Sequence, residues 1–190
     1  GNEWHVRNTG QQALAGADAK VYDAWGPSGS YGSGGMRIAI VGDGVETTHA
    51  DLAANIVQGY DFYNGDTDPN PATANDNHDT AVAGVAAAVV DNAVGVAGAA
   101  GKCKILPVKG FRDSAYVSAT SVYRALVYAA DNADIINFSW GITSPSSTIT
   151  TAFSYANSRG RGGKGCPTLV AVGNHASGAD SFSWAVLQEV

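Results

Sequence analysis

Short apolar runs alternate with helical patterns along most of this 190-residue sequence. The apolar runs lie at 37–41, 104–108, 134–138 and 168–172. The helical patterns lie at 17–25, 78–90, 117–130 and 148–158. Apolar runs of this length are typical of strands that are buried on both faces, and strands that alternate with helices form parallel sheets. We therefore predict an α/β fold with a doubly wound parallel sheet, as a single domain covering residues 1–190.

The composition narrows the classes of partner. Apolar residues make up 45% of the chain and charged residues 15%, which is typical of a globular protein. The net charge is −6 and most basic residues are scattered, which argues against a nucleic-acid partner. No apolar run approaches the length of a membrane span, and the first residues do not resemble a signal peptide. We expect no membrane partner, and a protein that is either cytosolic or already processed.

A single histidine opens the most distinctive stretch, which reads NDNHDTAVAG and then VAAAVVDNAVGVAG from residue 75 to residue 98. His78 follows three turn formers and precedes a small-residue helix with apolar positions all round, which predicts a buried helix. Such a helix would hold an imidazole in a fixed place, as a general base requires. The alternative is a capping or core histidine with no chemical role.

Five motifs in order resemble those of the subtilisin-like serine proteases. They are IAIVGDGVETTHADL (38–52), NHDTAVAG (77–84), INFSWG (136–141), SRGRGGKG (158–165) and VAVGN (170–174). The SWG and GRGG elements, with the acidic loop YDFYNGDTDPNP, look most like the kexin and furin branch and its bacterial relatives. The resemblance implies a subtilisin-like sheet and a serine endopeptidase that acts on peptide or protein substrates.

The resemblance also assigns roles to single residues. In that family an aspartate orients a histidine, the histidine takes a proton from a serine, and an asparagine helps to stabilise the oxyanion. His78 matches the catalytic histidine and Asn174 the oxyanion asparagine, whereas Gly42 stands where the aspartate belongs. Asp43 falls where the kexin branch has a second aspartate. Because adjacent side chains of a strand point to opposite faces, we expect Asp43 to point away from His78 unless the backbone is kinked.

A second departure follows the histidine, where Asp79 replaces the glycine of the family. A carboxylate in the first turn of a helix is favoured by the dipole and can cap free N–H groups. Beside His78 it would favour the protonated imidazole, which is the wrong form for a base. Both departures predict weak or absent catalysis.

The serine motif of the family, of GTS type, does not occur in this sequence, and SFSWA at 181–185 is only a faint echo of it. We therefore expect a domain truncated at its C-terminus and inactive by itself, and an uncovered sheet surface that could drive self-association. The alternative is a catalytically dead member kept as a binding or scaffold protein. The resemblance further implies a secreted protein in its mature form, with signal and propeptide removed.

The same resemblance predicts Ca²⁺ as cofactor. The segment DNAVGVAG from residue 91 is similar to the calcium hairpin of subtilases, and hard oxygen ligands suit this ion. The matching ligands are Asp51, Val89, Asn92, Val94 and Val96. The alternative is a plain polar hairpin. A weaker second site would use Asp61, Asp66 and Asp68, although solvation alone explains such a loop slightly better.

Overall fold

The computed structural model describes residues 3–11, 14–27, 29–112, 118–141 and 146–171. The strands are β1 (Arg37–Gly42), β2 (Tyr60–Asp61), β3 (Lys104–Lys109), β4 (Ile135–Phe138) and β5 (Thr168–Val170). The helices are α1 (Val21–Trp25), α2 (His78–Ala87), α3 (Ala119–Asn132) and α4 (Ser147–Gly163), and a 3₁₀ turn covers Ala53–Asn55. The five strands form one parallel sheet in the order β2-β3-β1-β4-β5, which confirms the predicted α/β fold.

Strand β1 lies at the centre of the sheet and separates two hydrophobic cores. Ala39 and Val41 face one core, which they share with buried residues of α3 and α4. Ile40 faces the other core, together with Ala83 and Ala87 of α2. Helices on both faces explain why β1 is apolar at successive positions rather than at alternate ones. The sheet is therefore doubly wound, as the sequence predicts.

Helix α2 differs from its prediction in length and burial. It ends at Ala87 rather than at residue 90, and it buries only one face against the sheet. Val85, on the opposite face, is 53% exposed and lines a cleft of about 710 Å³. The prediction of a fully buried helix is wrong because alanine and glycine fill a solvent-lined face as readily as a core one.

Two further elements depart from the sequence patterns. Strand β2 was not predicted, because its two residues are too few to produce a recognisable run. Helix α4 is regular up to its last turn, where Gly160, Arg161 and Gly162 leave the helical region. The predicted end at residue 158 is therefore close to the true end of the regular helix. Among the described residues, no helix is long and apolar enough to cross a membrane.

Candidate active site

Strands β1 and β4 end at the same edge of the sheet, and helix α2 begins there. β1 ends at Gly42, and the chain turns sharply at Gly44, whose φ is +112°. A Cβ on Gly44 would lie 2.8 Å from the carbonyl oxygen of Pro69, so both the angle and the space require glycine. In open α/β sheets, ligands bind at this edge. They bind at the point where the connections that leave two neighbouring strands run in opposite directions.

His78 and Asp79 form a close pair in the first turn of α2. The Nδ1 atom of His78 lies 2.9 Å from Oδ1 of Asp79. The His78 side chain is 47% exposed, whereas the Asp79 side chain is 1% exposed. The pair therefore joins a buried carboxylate to an imidazole that reaches solvent, which is the arrangement that orients a general base.

The Asp79 carboxylate occupies the space directly over Gly42. A Cβ built on Gly42 would lie 2.0 Å from Oδ2 of Asp79 and 2.7 Å from its Cγ. These separations are far below van der Waals contact, so no larger residue fits at position 42 while Asp79 keeps its place. The glycine that removes the expected aspartate is thus the residue that makes room for another carboxylate.

Asp43 approaches the same turn, contrary to the expectation that it points away from His78. Its Oδ1 accepts a hydrogen bond of 3.0 Å from the backbone N–H of Asp79, and the residue is 1% exposed. The turn at Gly44 follows at once, and Asp43 lies beyond the regular strand, so the alternation of side chains does not extend to it. Asp43 serves the free N–H groups at the start of α2 and does not hydrogen-bond the imidazole ring.

The charges of this turn shift two pKa values upward. Burial and the neighbouring Asp79 carboxylate raise the pKa of Asp43 to about 6, against the opposing effect of hydrogen bonds from the helix start. The hydrogen bond that Nδ1 of His78 donates to the Asp79 carboxylate raises the pKa of His78, although partial burial works in the opposite direction. This direction is the one expected from the sequence, in which Asp79 favours the protonated imidazole.

Trp140, after β4, completes the surroundings of the histidine, a role that the sequence analysis did not assign to it. The rings of His78 and Trp140 meet edge to face with centroids 5.7 Å apart, and Phe111 packs against the indole at 4.4 Å. Within the described part of the chain, Nε1 of Trp140 and Oδ2 of Asp79 are buried without a hydrogen-bond partner. Trp140 lies within the INFSWG motif, and its place after a buried strand was the signal available.

Two residues named from the sequence lie outside the described residues. They are Asn174, matched to the oxyanion asparagine, and Ser183, in the faint echo of the serine motif. The convergence of His78 and Asn174 at one edge of the sheet therefore stays a prediction.

The predicted calcium residues meet in one loop after α2. Oδ1 of Asp51 accepts from the Asn92 side-chain amide at 2.8 Å, and Oδ2 accepts from the backbone N–H of Val96 at 2.8 Å. The backbone N–H of Val89 donates to the carbonyl oxygen of Asp51, and that of Val94 donates to Oδ1 of Asn92. Left-handed φ angles at positions 91, 93 and 95 curl the loop around the Asp51 carboxylate.

The carboxylates of the acidic loop, where a second calcium site is predicted, are each engaged by groups of the protein. Oδ1 of Asp61 accepts the backbone N–H groups of residues 63 and 64, and its Oδ2 lies 3.8 Å from the buried ammonium of Lys109. Asp66 and Asp68 each accept a backbone N–H two residues further along. No group of three carboxylates in this fully described loop is close enough to share an ion. Its charge is balanced by a lysine and by turn amides, and the second calcium site stays a prediction.

Comparisons with known proteins find similarity to proteases over most of the chain. The Subtilase family profile matches residues 33–185. The thermophilic serine proteinase of Bacillus sp. (strain AK1) is 34% identical over 92% of this chain and 42% of its own length. The calcium-dependent protease of Nostoc sp. is 32% identical over 99% of this chain and 30% of its own. The chain thus spans less than half the length of these two curated relatives.

A solved structure carries the same fold. A protease from Pseudoalteromonas arctica superposes with a TM-score of 0.73 and 28% sequence identity, covering 94% of this chain and 59% of that chain. The similarity extends over nearly all of the sequence, as the order of the five motifs predicts.

Proposed function

Since this chain belongs to the Subtilase family, we propose that it supplies the histidine-bearing part of a serine endopeptidase domain. The observation that carries the proposal is the pair at the start of α2, in which a buried carboxylate lies 2.9 Å from Nδ1 of the half-exposed His78. The position of this pair at the carboxyl ends of parallel strands supports it further. The substrates would be peptides or proteins.

In this proposal His78 acts as general base and acid. With Nδ1 engaged by a carboxylate, Nε2 is the nitrogen free to take a proton from a serine hydroxyl and to return it to the leaving amine. Asp43 contributes by fixing the start of the helix through the backbone N–H of Asp79. Asn174 would donate its side-chain amide to the oxyanion, as its match to the family motif implies.

The 190-residue sequence contains no GTS motif, so we propose that this chain by itself does not hydrolyse peptides. A fluorophosphonate probe, which labels activated serines, should leave the chain unlabelled and should label the longest natural protein that contains it. His78→Ala in that protein should abolish labelling, whereas Arg124→Ala, an exposed change on α3, should not. Labelling that survives His78→Ala would refute the role of His78.

A catalytically dead binding protein is the second candidate, and Gly42 favours it because the strand lacks the expected carboxylate. The two candidates differ in the fate of a bound peptide. A binding protein would retain a fluorogenic peptide library uncleaved, and its longer natural form would resist the probe. Cleavage by that form would exclude this candidate.

We propose one calcium ion in the loop after α2. The observation that fits it is the buried carboxylate of Asp51, 2% exposed, with the Asn92 amide beside it on a curled backbone. The carboxylate of Asp51, Oδ1 of Asn92 and the carbonyl oxygens of Val89, Val94 and Val96 would hold the ion. Binding requires Asn92 to present its oxygen to the ion instead of donating Nδ2 to Asp51. The ion would neutralise the buried charge and stabilise the loop.

Calcium binding has a direct thermal test. Adding millimolar Ca²⁺ after EGTA treatment should raise the midpoint of unfolding by several degrees, since a ligand that binds only the folded state stabilises it. Asp51→Asn should remove the response, whereas Asp68→Asn in the acidic loop should keep it. An unchanged midpoint for the native chain would refute the site.

Location and assembly extend the proposal. We place the protein outside the cell, where calcium is abundant enough for a loop of this kind. Leu169 of β5, 57% exposed, supports self-association through the sheet surface. Sedimentation of the chain should reveal dimers or larger species, and Leu169→Lys should reduce them. A strictly monomeric chain would exclude this assembly.

A further inference from the structure

We propose that Asp79 is the positioning residue of His78, its carboxylate occupying the space over Gly42 that a side chain from the strand would otherwise fill. The proposal rests on the assigned role of His78 as general base, and it names the residue that fixes the ring. In this arrangement the orienting carboxylate comes from the helix, one residue after the histidine, and not from strand β1.

The geometry makes positions 42 and 79 mutually exclusive. A Cβ on Gly42 would lie 2.0 Å from Oδ2 of Asp79 and 2.6 Å from Nε1 of Trp140. A side chain on β1 and the Asp79 carboxylate therefore compete for one gap beside the imidazole. Glycine at 42 leaves the gap to Asp79, which fills it and is 0% exposed.

A role in helix capping does not explain where Asp79 points. The N–H of Asp79 itself is already served by Oδ1 of Asp43 at 3.0 Å. Within the described residues, the hydrogen-bond partner of the Asp79 carboxylate is Nδ1 of His78, and Oδ2 has none. A buried carboxylate with so few partners is costly unless a positive charge compensates it. The imidazolium form of His78 is that charge, and the raised pKa of His78 has the same cause.

The ring is held on two sides. Asp79 fixes Nδ1, and the edge of Trp140 limits rotation of the imidazole at a centroid distance of 5.7 Å. When the imidazolium gives up one proton, the hydrogen bond to the carboxylate keeps the remaining proton on Nδ1 and leaves Nε2 bare. Nε2 is the nitrogen that a general base needs, and the half-exposed side chain lets it meet solvent or substrate.

Trp140 borders the same gap with an unused donor. Its Nε1 and Oδ2 of Asp79 are an orphaned donor and an orphaned acceptor, and both border the space over Gly42. The indole therefore closes the gap in which the carboxylate lies.

Nitrogen-15 NMR of the 190-residue chain tests the proposal without any need for hydrolysis. Asp79→Asn keeps the shape but removes the charge, so the pKa of His78 should fall and the Nδ1–H tautomer should lose its preference. Asp131→Asn, an exposed carboxylate on α3, is the matched control and should change neither. The proposal is overturned if folded Asp79→Asn leaves both the pKa and the tautomer as they are.

A reciprocal exchange provides the second test and covers the case of a variant that fails to fold. Gly42→Asp alone places two carboxylates in one gap and should unfold the chain or expel Asp79. Gly42→Asp combined with Asp79→Gly leaves one carboxylate, now on the strand, and should restore both the fold and the raised pKa of His78. A double variant that folds with an ordinary His78 pKa would contradict the proposal.

Activity distinguishes failure of this proposal from failure of the proposed function. In the longer natural protein, Asp79→Asn should lower kcat by about 10³- to 10⁴-fold with little change in KM, as when the orienting aspartate of a serine protease is neutralised. If the natural protein hydrolyses peptides and Asp79→Asn is fully active, Asp79 is not the positioning residue. If the natural protein is inactive but the NMR shifts occur, only the protease assignment fails.

Discussion

Two buried carboxylates, Asp51 and Asp79, lie at opposite ends of helix α2 and are used in opposite ways. Both oxygens of Asp51 accept hydrogen bonds, from the Asn92 side chain and from the backbone of Val96. Asp79 contacts His78 through one oxygen and has no partner for the other within the described residues. The first carboxylate is satisfied by donors that do not titrate, so it fixes a loop. The second depends on a ring that gains and loses a proton.

The local backbone produces this difference. The loop around Asp51 curls through left-handed positions, and a Cβ on Gly95 would lie 2.1 Å from Oδ2 of Asp51, so the chain wraps the carboxylate closely. Asp79 sits in a regular helical turn whose free N–H is taken by Asp43. A helix offers few donors to a buried side chain, which leaves the imidazole as the main partner.

The largest expected effect is at Asp51. Asp51→Ala removes the buried acceptor of two part-buried hydrogen bonds and leaves their donors without it, so we expect the free energy of unfolding to fall by about 3 kcal/mol. Chemical denaturation measures it. Asp91→Asn, an exposed change in the same loop that tolerates the left-handed backbone, should cost less than about 0.5 kcal/mol. Equal effects of the two variants would remove the distinction between the carboxylates.

The next effect is at the gap beside His78. Gly42→Ala places a carbon where Oδ2 of Asp79 lies, so the carboxylate must move or the strand must shift. We expect a loss of about 2 kcal/mol in unfolding free energy, within the range found for overpacked cores. The pKa of His78 should fall as Asp79 leaves, which titration by NMR detects. A stable variant with an unchanged His78 would show that the gap is not filled.

A smaller effect with a distinct pH dependence is expected at Asp43. Its pKa is raised from 3.8 to about 6, so ionisation opposes folding and the native chain loses stability as pH rises from about 4 to 6. Asp43→Asn keeps the oxygen that accepts the Asp79 N–H and avoids the charge. Its unfolding free energy should exceed that of the native chain by about 1 kcal/mol at pH 7.5, and the two should agree at pH 4. If the difference in unfolding free energy between the variant and the native chain does not change with pH, the raised pKa of Asp43 is contradicted.

The smallest effect sharpens the result at Gly42. Gly84→Ala makes the same chemical change in the middle of α2, where an added Cβ meets nothing within 4 Å. Alanine restricts the unfolded chain and favours the helix, so unfolding free energy should rise by about 0.5–1 kcal/mol. If only the space over Gly42 is occupied, Gly42→Ala should lower the midpoint of thermal unfolding and Gly84→Ala should raise it. A loss at Gly84 would point to a general intolerance of larger residues.

The sequence predicts the sheet well because burial on both faces leaves unbroken apolar runs. Strands β1 and β3 begin where their runs begin, and β4 begins one residue later than predicted. Burial of α2 was mispredicted because its small apolar residues do not distinguish a core from a cleft wall. Tertiary packing decides which face of α2 is buried, and the sequence of the helix alone does not determine it.

The candidate site was predicted in part. His78 and the residues of the Asp51 loop were identified from motifs, and the structure brings the loop residues together. The direction of Asp43 was mispredicted because the turn at Gly44 ends the strand alternation. The relation between Gly42 and Asp79 was missed because each departure was interpreted alone. Their closeness is a fact of three-dimensional folding, since 36 residues separate the two elements in the chain.

The crowding over Gly42 also limits how such a chain can arise. Exchanging the carboxylate between positions 42 and 79 one substitution at a time passes through an ancestor with an acid at both positions or at neither. An ancestor with both acids would place two carboxylates in a space that holds one. An ancestor with neither acid would have no carboxylate to orient the imidazole. Sequences with the acid at position 42 and sequences with the acid at position 79 are therefore separated by an epistatic barrier. Relatives that have glycine at 42 should also have an acid at 79.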